Sequence, residues 1–150
     1  PHLHTLFLQT SRRPDTVDYT HVECALDCIA TSSIQCLTLN RCNINDEDIL
    51  RLKHSKLQSL SIAFSPELTN DSIISLVPTL PCLRSLQLYF CEGIENEVVM
   101  DVPLLCPTLR ELSYKQSNGC GYCGSTSSPS LFAKFLPKLY PHVAHFSVDC

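Results

Sequence analysis

Hydrophobic positions recur along the chain in one six-residue phrase: an aliphatic residue, two variable residues, an aliphatic residue, one variable residue and a last aliphatic residue. The phrase begins at residues 3, 34, 57, 83, 109 and 143. Its later positions alternate polar and apolar, which predicts a short strand with one buried face. The repeated apolar residues are Leu3, Leu6 and Leu8; Ile34, Leu37 and Leu39; Leu57, Leu60 and Ile62; Leu83, Leu86 and Leu88; Leu109, Leu112 and Tyr114; Val143, Phe146 and Val148.

Apolar residues at helical spacing follow three of these strands after a turn. They are Ile49 and Leu52; Ile73, Ile74, Val77 and Leu80; and Val98, Val99 and Val102. The pairs Asn45 and Asp46, Asn70 and Asp71, and Asn96 and Glu97 precede them, and are expected to cap the helix N-termini. Prolines 78, 81, 103 and 107 are expected to end the helices before the next strand.

The spacing of the phrase indicates an architecture. Between the starts at residues 34, 57, 83 and 109 the intervals are 23, 26 and 26 residues, within the roughly 20–29 residues of leucine-rich repeats. The outer intervals are longer, so they contain insertions. One strand–turn–helix coil cannot bury its aliphatic row alone, and neighbouring coils must therefore stack. We expect an α/β fold, a leucine-rich-repeat solenoid of about six coils over residues 1–150, with a parallel sheet on the concave side and helices on the convex side.

The segments that flank the strands indicate the subtype of leucine-rich repeat. Residues 42–46, 65–71 and 91–97 follow strands, and residues 80–83 and 105–109 precede them. These segments resemble the cysteine-containing leucine-rich repeats of the F-box and leucine-rich-repeat proteins, which are substrate receptors of cullin-type ubiquitin ligases. The resemblance covers residues 34–114. It departs at Ser65, where the usual cysteine is missing, and at the insertions 9–33 and 115–142.

This resemblance implies an intracellular protein, cytoplasmic or nuclear, with reduced thiols at the repeat positions Cys42, Cys82, Cys91 and Cys106. The F-box expected upstream is not within these residues. Because the chain begins inside one strand phrase and stops inside another, we expect a segment of a longer solenoid, or a solenoid whose ends are covered by partners.

Composition narrows the possible functions. Hydrophobic residues make up 44% of the chain and charged residues 17%, as in ordinary globular proteins. The net charge of −4 argues against a nucleic-acid partner. No apolar stretch approaches the roughly 20 residues of a membrane span. Histidine, serine and carboxylate residues form no catalytic motif, so we expect no enzymatic activity and no cofactor.

Two pairs of cysteines are candidates for metal binding or redox chemistry. Cys24 and Cys28 lie four residues apart on a predicted helix through Val22, Ala25, Leu26 and Ile29. We interpret them as a buried thiol pair, with a metal or redox role as the alternative. Cys120, Cys123, His142 and His145 could form a tetrahedral zinc site that staples the second insertion. A thioredoxin-like redox motif and a plain glycine- and serine-rich loop are the alternatives.

The strand phrase also predicts a binding face. Positions one, four and six point into the core, whereas positions three, five, seven and eight lie on or near the concave sheet. Most of the latter are small and polar, and aromatic and cationic exceptions mark an interaction centre. The predicted partner-binding residues are Asn40, Arg41, Phe64, Gln87, Tyr89, Phe90 and Lys115. Burial of Phe64 and Phe90 beneath the ascending loop is the alternative.

These observations favour a protein-interaction module that contacts a protein partner on the concave face. The narrower hypothesis is substrate recognition in a cullin-type ubiquitin ligase. A structural scaffold subunit of a stable assembly is the alternative. An extracellular recognition domain is a third hypothesis, since Asn70, Asp71 and Ser72 form a glycosylation-type triplet.

Overall fold

The structure, a computed structural model, describes residues 3–10, 20–116 and 138–149. Each of the six phrases forms one strand, which occupies positions three to seven of the phrase. The strands are β1 (Thr5–Gln9), β2 (Cys36–Asn40), β3 (Ser59–Ala63), β4 (Ser85–Tyr89), β5 (Glu111–Lys115) and β6 (His145–Asp149). They form one parallel sheet in the order β1-β2-β3-β4-β5-β6. The predicted strands and their parallel arrangement are confirmed.

Helices separate the first five strands. They are α1 (Thr20–Thr31), α2 (Asp46–Leu50), α3 (Asn70–Leu76), continued by a 3₁₀ turn (Val77–Thr79), and α4 (Asn96–Leu105). Neighbouring helices pack side by side and form a layer behind the sheet. We call the other side of the sheet, which faces away from this layer, the open sheet face. No helix in the described part of the chain is long and apolar enough to cross a membrane.

The sheet is in perfect repeat register. Leu37 pairs with Leu60, and Leu60 pairs with Leu86, so equal phrase positions stack from coil to coil. The backbone just before each strand reinforces this register. The carbonyl oxygen of Gln35, for example, accepts hydrogen bonds from the N–H groups of Gln58 and Ser59, at 2.7 and 2.9 Å. The same forked bond recurs at the following coils.

The core lies between the sheet and the helix layer. Phrase positions one, four and six of the second to fifth coils are all at most 7% exposed, which confirms the predicted inward face for these coils. The first coil differs, since Leu3 is 62% exposed. The buried positions are Ile34, Leu37, Leu39, Leu57, Leu60, Ile62, Leu83, Leu86, Leu88, Leu109, Leu112 and Tyr114.

Helix capping differs in part from the prediction. Asn45 caps α2 as expected: its side chain accepts from the Asp48 N–H, and the Asp48 carboxylate accepts from the Asn45 N–H. In contrast, Asn70 and Asn96 are the first residues of their helices, and the capping positions are Thr69 and Glu95. The prediction was wrong there because caps come from neighbouring coils, which a local pattern does not reveal.

Side chains at helix starts bond to the next coil. The Asp46 carboxylate accepts hydrogen bonds from the Thr69 N–H and hydroxyl, at 2.8 and 2.6 Å. One coil further on, the Asn70 side-chain oxygen accepts from the Glu95 N–H at 2.9 Å. The starts of α2 and α3 thus each satisfy a backbone donor of the following coil.

Two further expectations were wrong. Pro103 lies inside α4 rather than beyond its end, whereas Pro78, Pro81 and Pro107 do follow their helices. Cys24 and Cys28 are both exposed free thiols, not a buried pair. α1 buries Leu26 and Ile29, and the two cysteines lie on another face of the helix.

Candidate interaction surface at the strand ends

The residue that follows each central strand adopts an unusual backbone conformation. Arg41, Phe64 and Phe90 occupy phrase position eight and have φ angles of 56°, 57° and 56°. This left-handed region costs a non-glycine residue about 1–2 kcal/mol. Each of the three N–H groups nevertheless bonds to the last strand residue of the next coil, and the Phe64 N–H reaches the Tyr89 carbonyl oxygen at 2.9 Å. These bonds hold the three residues in equivalent positions.

The three side chains form one stack. The Phe64 and Phe90 rings are nearly parallel, with an interplanar angle of 19° and centroids 4.7 Å apart. The Arg41 guanidinium carbon lies 4.7 Å from the Phe64 ring centroid, in cation–π range. Both distances match the roughly 4.8 Å spacing of neighbouring strands. The stack, here named the strand-end stack, therefore follows from placing equal phrase positions on successive coils.

The strand-end stack is partly accessible to a partner. Phe64 is 37% exposed, and Phe90 and Arg41 are half-buried. Since Arg41 and Phe90 cover the two faces of the Phe64 ring, a partner would meet ring edges. Neither Phe64 nor Phe90 is fully buried beneath the loop, so the alternative prediction for these two residues is wrong.

Most other predicted binding residues lie beside the stack. Asn40, Tyr89 and Lys115 are the last residues of β2, β4 and β5, and Tyr89 pairs with Lys115. Gln87 lies two residues before Tyr89 on the open sheet face. Asn40 Oδ1 and Arg41 Nε are buried atoms with no hydrogen-bond partner in the structure. The structure thus brings six of the seven predicted residues together at the strand ends, and Gln87 lies at the middle of β4 on the open sheet face.

Small polar side chains line the rest of the open sheet face in the central coils. They allow a partner's backbone to approach the sheet closely. Sequence reasoning missed the ring stacking and the position of Arg41 on Phe64. The sequence signal that could have predicted this stacking was the recurrence of phenylalanine at phrase position eight, in Phe64 and Phe90. The small residues are Thr38, Ser59, Ser61, Ser85 and Ser113.

Buried cysteines directly follow Arg41 and Phe90 in the sequence, at phrase position nine. The Cys42 thiol contacts the Leu8 carbonyl oxygen at 3.4 Å, and the Cys91 thiol contacts that of Ile62 at 3.9 Å. Burial raises the pKa of both thiols, and backbone hydrogen bonds offset only part of that rise. These cysteines remain protonated and serve as small core residues, not nucleophiles.

Ser65 takes the place of the cysteine in the third coil. It is fully buried, and its hydroxyl oxygen has no hydrogen-bond partner in the structure. A hydroxyl oxygen is smaller than a thiol sulfur and forms shorter hydrogen bonds. With serine in place of cysteine at this position, a hydroxyl group is therefore buried in the core without a hydrogen bond.

The predicted zinc ligands are only partly described. Cys120 and Cys123 lie outside the described residues. His142 is half-buried, its Nε2 atom lacks a hydrogen-bond partner, and its ring meets that of Tyr140 edge-on at 6.2 Å. His145 is exposed at the start of β6. Within residues 3–10, 20–116 and 138–149, no three histidine, cysteine or carboxylate side chains are grouped to hold a metal. The zinc site stays a prediction.

These features define the class of fold: an α/β solenoid of leucine-rich repeats with an in-register parallel sheet. Among solved structures, the chain is similar to the tropomodulin C-terminal domain of Caenorhabditis elegans. The two are 14% identical, with a TM-score of 0.57, over 88% of this chain and 83% of that domain. At this identity the likeness establishes the fold alone. No protein-family model matches the chain, and no curated protein matches its sequence.

Proposed function

We propose that the chain is a protein-interaction module whose partner binds the strand-end stack and the adjoining open sheet face. The observation that carries the proposal is the ordered stack of Arg41, Phe64 and Phe90. Aromatic and arginine side chains supply a large share of binding energy at protein interfaces. These three are already held in place by ring contacts and backbone bonds, so binding would cost little further side-chain entropy. The proposal assigns the chain no catalytic role and no cofactor.

A narrower role is substrate recognition in a cullin-type ubiquitin ligase inside the cell. Its support is the sequence likeness of the cysteine-containing repeats, together with buried free thiols at Cys42 and Cys91. A scaffold subunit is the alternative. Purification of the natural full-length protein would separate these roles, since only a ligase receptor co-purifies with the F-box adaptor and a cullin.

The test of the interaction surface compares two exposed apolar side chains. Phe64 is 37% exposed at the strand ends, and Ile74 is 42% exposed on the helix layer. The partner is first identified by crosslinking to the intact protein, and calorimetry then measures the dissociation constants of Phe64→Ala and Ile74→Ala. We expect Phe64→Ala to lose about 2 kcal/mol of binding energy, roughly 30-fold in affinity, and Ile74→Ala to bind as the wild type does. Equal affinities with both variants folded would contradict the proposed surface.

A further inference from the structure

Carboxylates are concentrated at the strand ends, around the strand-end stack. Three segments, residues 41–48, 64–71 and 90–97, connect a strand to the first turn of the next helix. We call them the strand-end rim. They contain eight carboxylates, and Arg41 is their one lysine or arginine, although the whole chain has 15 acidic and 11 basic residues. The acidic residues are Asp46, Glu47, Asp48, Glu67, Asp71, Glu92, Glu95 and Glu97.

The three segments lie side by side. Asp46 bonds to Thr69 of the next segment, and Asn70 bonds to Glu95 of the third. The carboxylates of three coils therefore line one edge of the molecule, next to the strand-end stack. In the described part of the chain, Arg51 pairs with Glu23 and Asp27 on the helix layer. Asp48 of the rim also interacts electrostatically with Arg51, but none of the eight rim carboxylates lies within ion-pair distance of a lysine or arginine among the described residues. The rim keeps its negative charge.

Helix stabilisation explains only part of this charge. Carboxylates in a first helical turn interact favourably with the helix dipole, and this accounts for those at the starts of α2, α3 and α4. Glu67 and Glu92 lie outside any helix, in the loops that directly follow Phe64 and Phe90, and both are exposed. Their charges are available to a partner that touches the strand-end stack.

Four cations lie at the opposite end of the strands, although the exposed Glu111 also lies there and the exposed Lys115 lies at the strand-end side. Lys53 and Lys56 lie between α2 and β3, and Arg84 and Arg110 immediately precede β4 and β5. All four side chains are exposed. A cationic partner is thus attracted to the strand-end rim and repelled from the strand starts, which sets its orientation across the open sheet face.

On the basis of the proposed function, we propose that the partner segment that reaches the strand-end stack is cationic. It presents lysine or arginine side chains to the rim carboxylates of the third and fourth coils, Glu67 and Glu92 among them. Between these it places an apolar side chain against the exposed ring edges of Phe64 and Phe90. Such a segment is complementary to the strand-end stack, which is apolar, and to the charged rim around it.

The experiment uses a displayed library of random short peptides as the probe and the immobilised full chain as the target. We expect the enriched peptides to carry net positive charge and an apolar residue. One enriched peptide is then synthesised, and fluorescence anisotropy measures its affinity for the wild type and for two doubly neutralised variants. Glu67→Gln with Glu92→Gln changes the rim. Asp27→Asn with Asp101→Asn, both exposed on helices and outside the rim and the open sheet face, changes the net charge equally.

The expected result is a loss of about tenfold in affinity for the rim variant, with little change for the control. Raising the salt from about 0.1 M to about 1 M, which shortens the Debye length from roughly 10 Å to 3 Å, should weaken binding. Acidic or uncharged enriched peptides, no enrichment, or equal affinities of the two variants would each overturn the inference. If the two variants bound the peptide equally but Phe64→Ala bound it more weakly than the wild type, the inference would fall and the proposed function would stand. If Phe64→Ala also bound the peptide as the wild type does, the inference and the proposed function would both fall.

Discussion

Tyr114 donates a hydrogen bond from its phenolic oxygen to the backbone carbonyl oxygen of Ile94 across 2.7 Å, although its side chain is only 1% exposed. Tyr114 occupies phrase position six, where the preceding coils have leucine or isoleucine. Gln116 donates to the same carbonyl oxygen at 3.3 Å. The fifth coil is therefore bonded through the core to the strand-end rim of the fourth coil.

Removal of this hydroxyl tests how much the bond contributes. We expect Tyr114→Phe to lower the free energy of unfolding by about 1 kcal/mol, because it keeps the ring but leaves the Ile94 carbonyl with one donor fewer. Urea denaturation measures the loss. Tyr89→Phe, at a half-buried tyrosine on the open sheet face, is the matched control. An equal effect of the two changes would show that the buried bond contributes nothing.

Restoring the missing cysteine should stabilise the protein. Ser65 is fully buried and its hydroxyl lacks a hydrogen-bond partner. Ser65→Cys fills the site as Cys42 and Cys91 do in neighbouring coils, and we expect it to raise the free energy of unfolding by about 1 kcal/mol. The same denaturation measurement on Ser65→Ala separates removal of the polar group from filling of the space. A loss of stability in both variants would mean that the hydroxyl is hydrogen-bonded in solution.

Gly93 permits a close approach between two coils of the strand-end rim. A Cβ atom at this residue would lie 2.3 Å from the carbonyl oxygen of Leu68, which belongs to the preceding coil. The neighbouring atom is backbone, so the two coils must separate to admit it. We expect Gly93→Ala to cost about 1–3 kcal/mol of stability. Glu92→Ala, at the exposed neighbour, is the control, and thermal unfolding that gave equal midpoints for the two variants would rule out this close approach.

Asp46 should make stability depend on pH. Burial raises the pKa of this carboxyl group, but hydrogen bonds from the Thr69 hydroxyl and N–H and from the Ser72 hydroxyl lower it by more, so the net pKa lies below its ordinary value. A folded-state pKa below the unfolded one stabilises the protein at pH above the unfolded value. This contribution is lost as the pH falls through the folded pKa.

Removing the carboxylate tests this linkage. We expect Asp46→Asn to be less stable than the wild type at neutral pH, with the difference shrinking below about pH 4 as Asp46 becomes protonated. Urea denaturation at a series of pH values measures it. Asp101→Asn on the exposed side of α4 controls for the change in net charge. A difference that stayed constant down to low pH would show that Asp46 ionisation is not coupled to folding.

The strands and the core positions could be predicted because both depend on a local, repeated pattern. Leu37, Leu60 and Leu86 occupy the same phrase position, and a parallel sheet with one strand per repeat stacks equal positions. The same argument predicted that Phe64, Tyr89 and Phe90 lie on neighbouring coils. The sequence by itself therefore determined the solenoid, its inward face, and the end of the sheet where the aromatic residues lie.

Contacts between coils were decided only by the tertiary structure. Arg41 and Phe64 are 23 residues apart, and Phe64 and Phe90 are 26 apart; no local pattern specifies that their side chains stack in a left-handed backbone conformation. The caps that Asp46 and Asn70 provide for the next coil, and the exposure of Cys24, are of the same kind. Each depends on the side chains that a neighbouring coil places beside a residue at the strand spacing of about 4.8 Å, and on which face of a helix that packing covers.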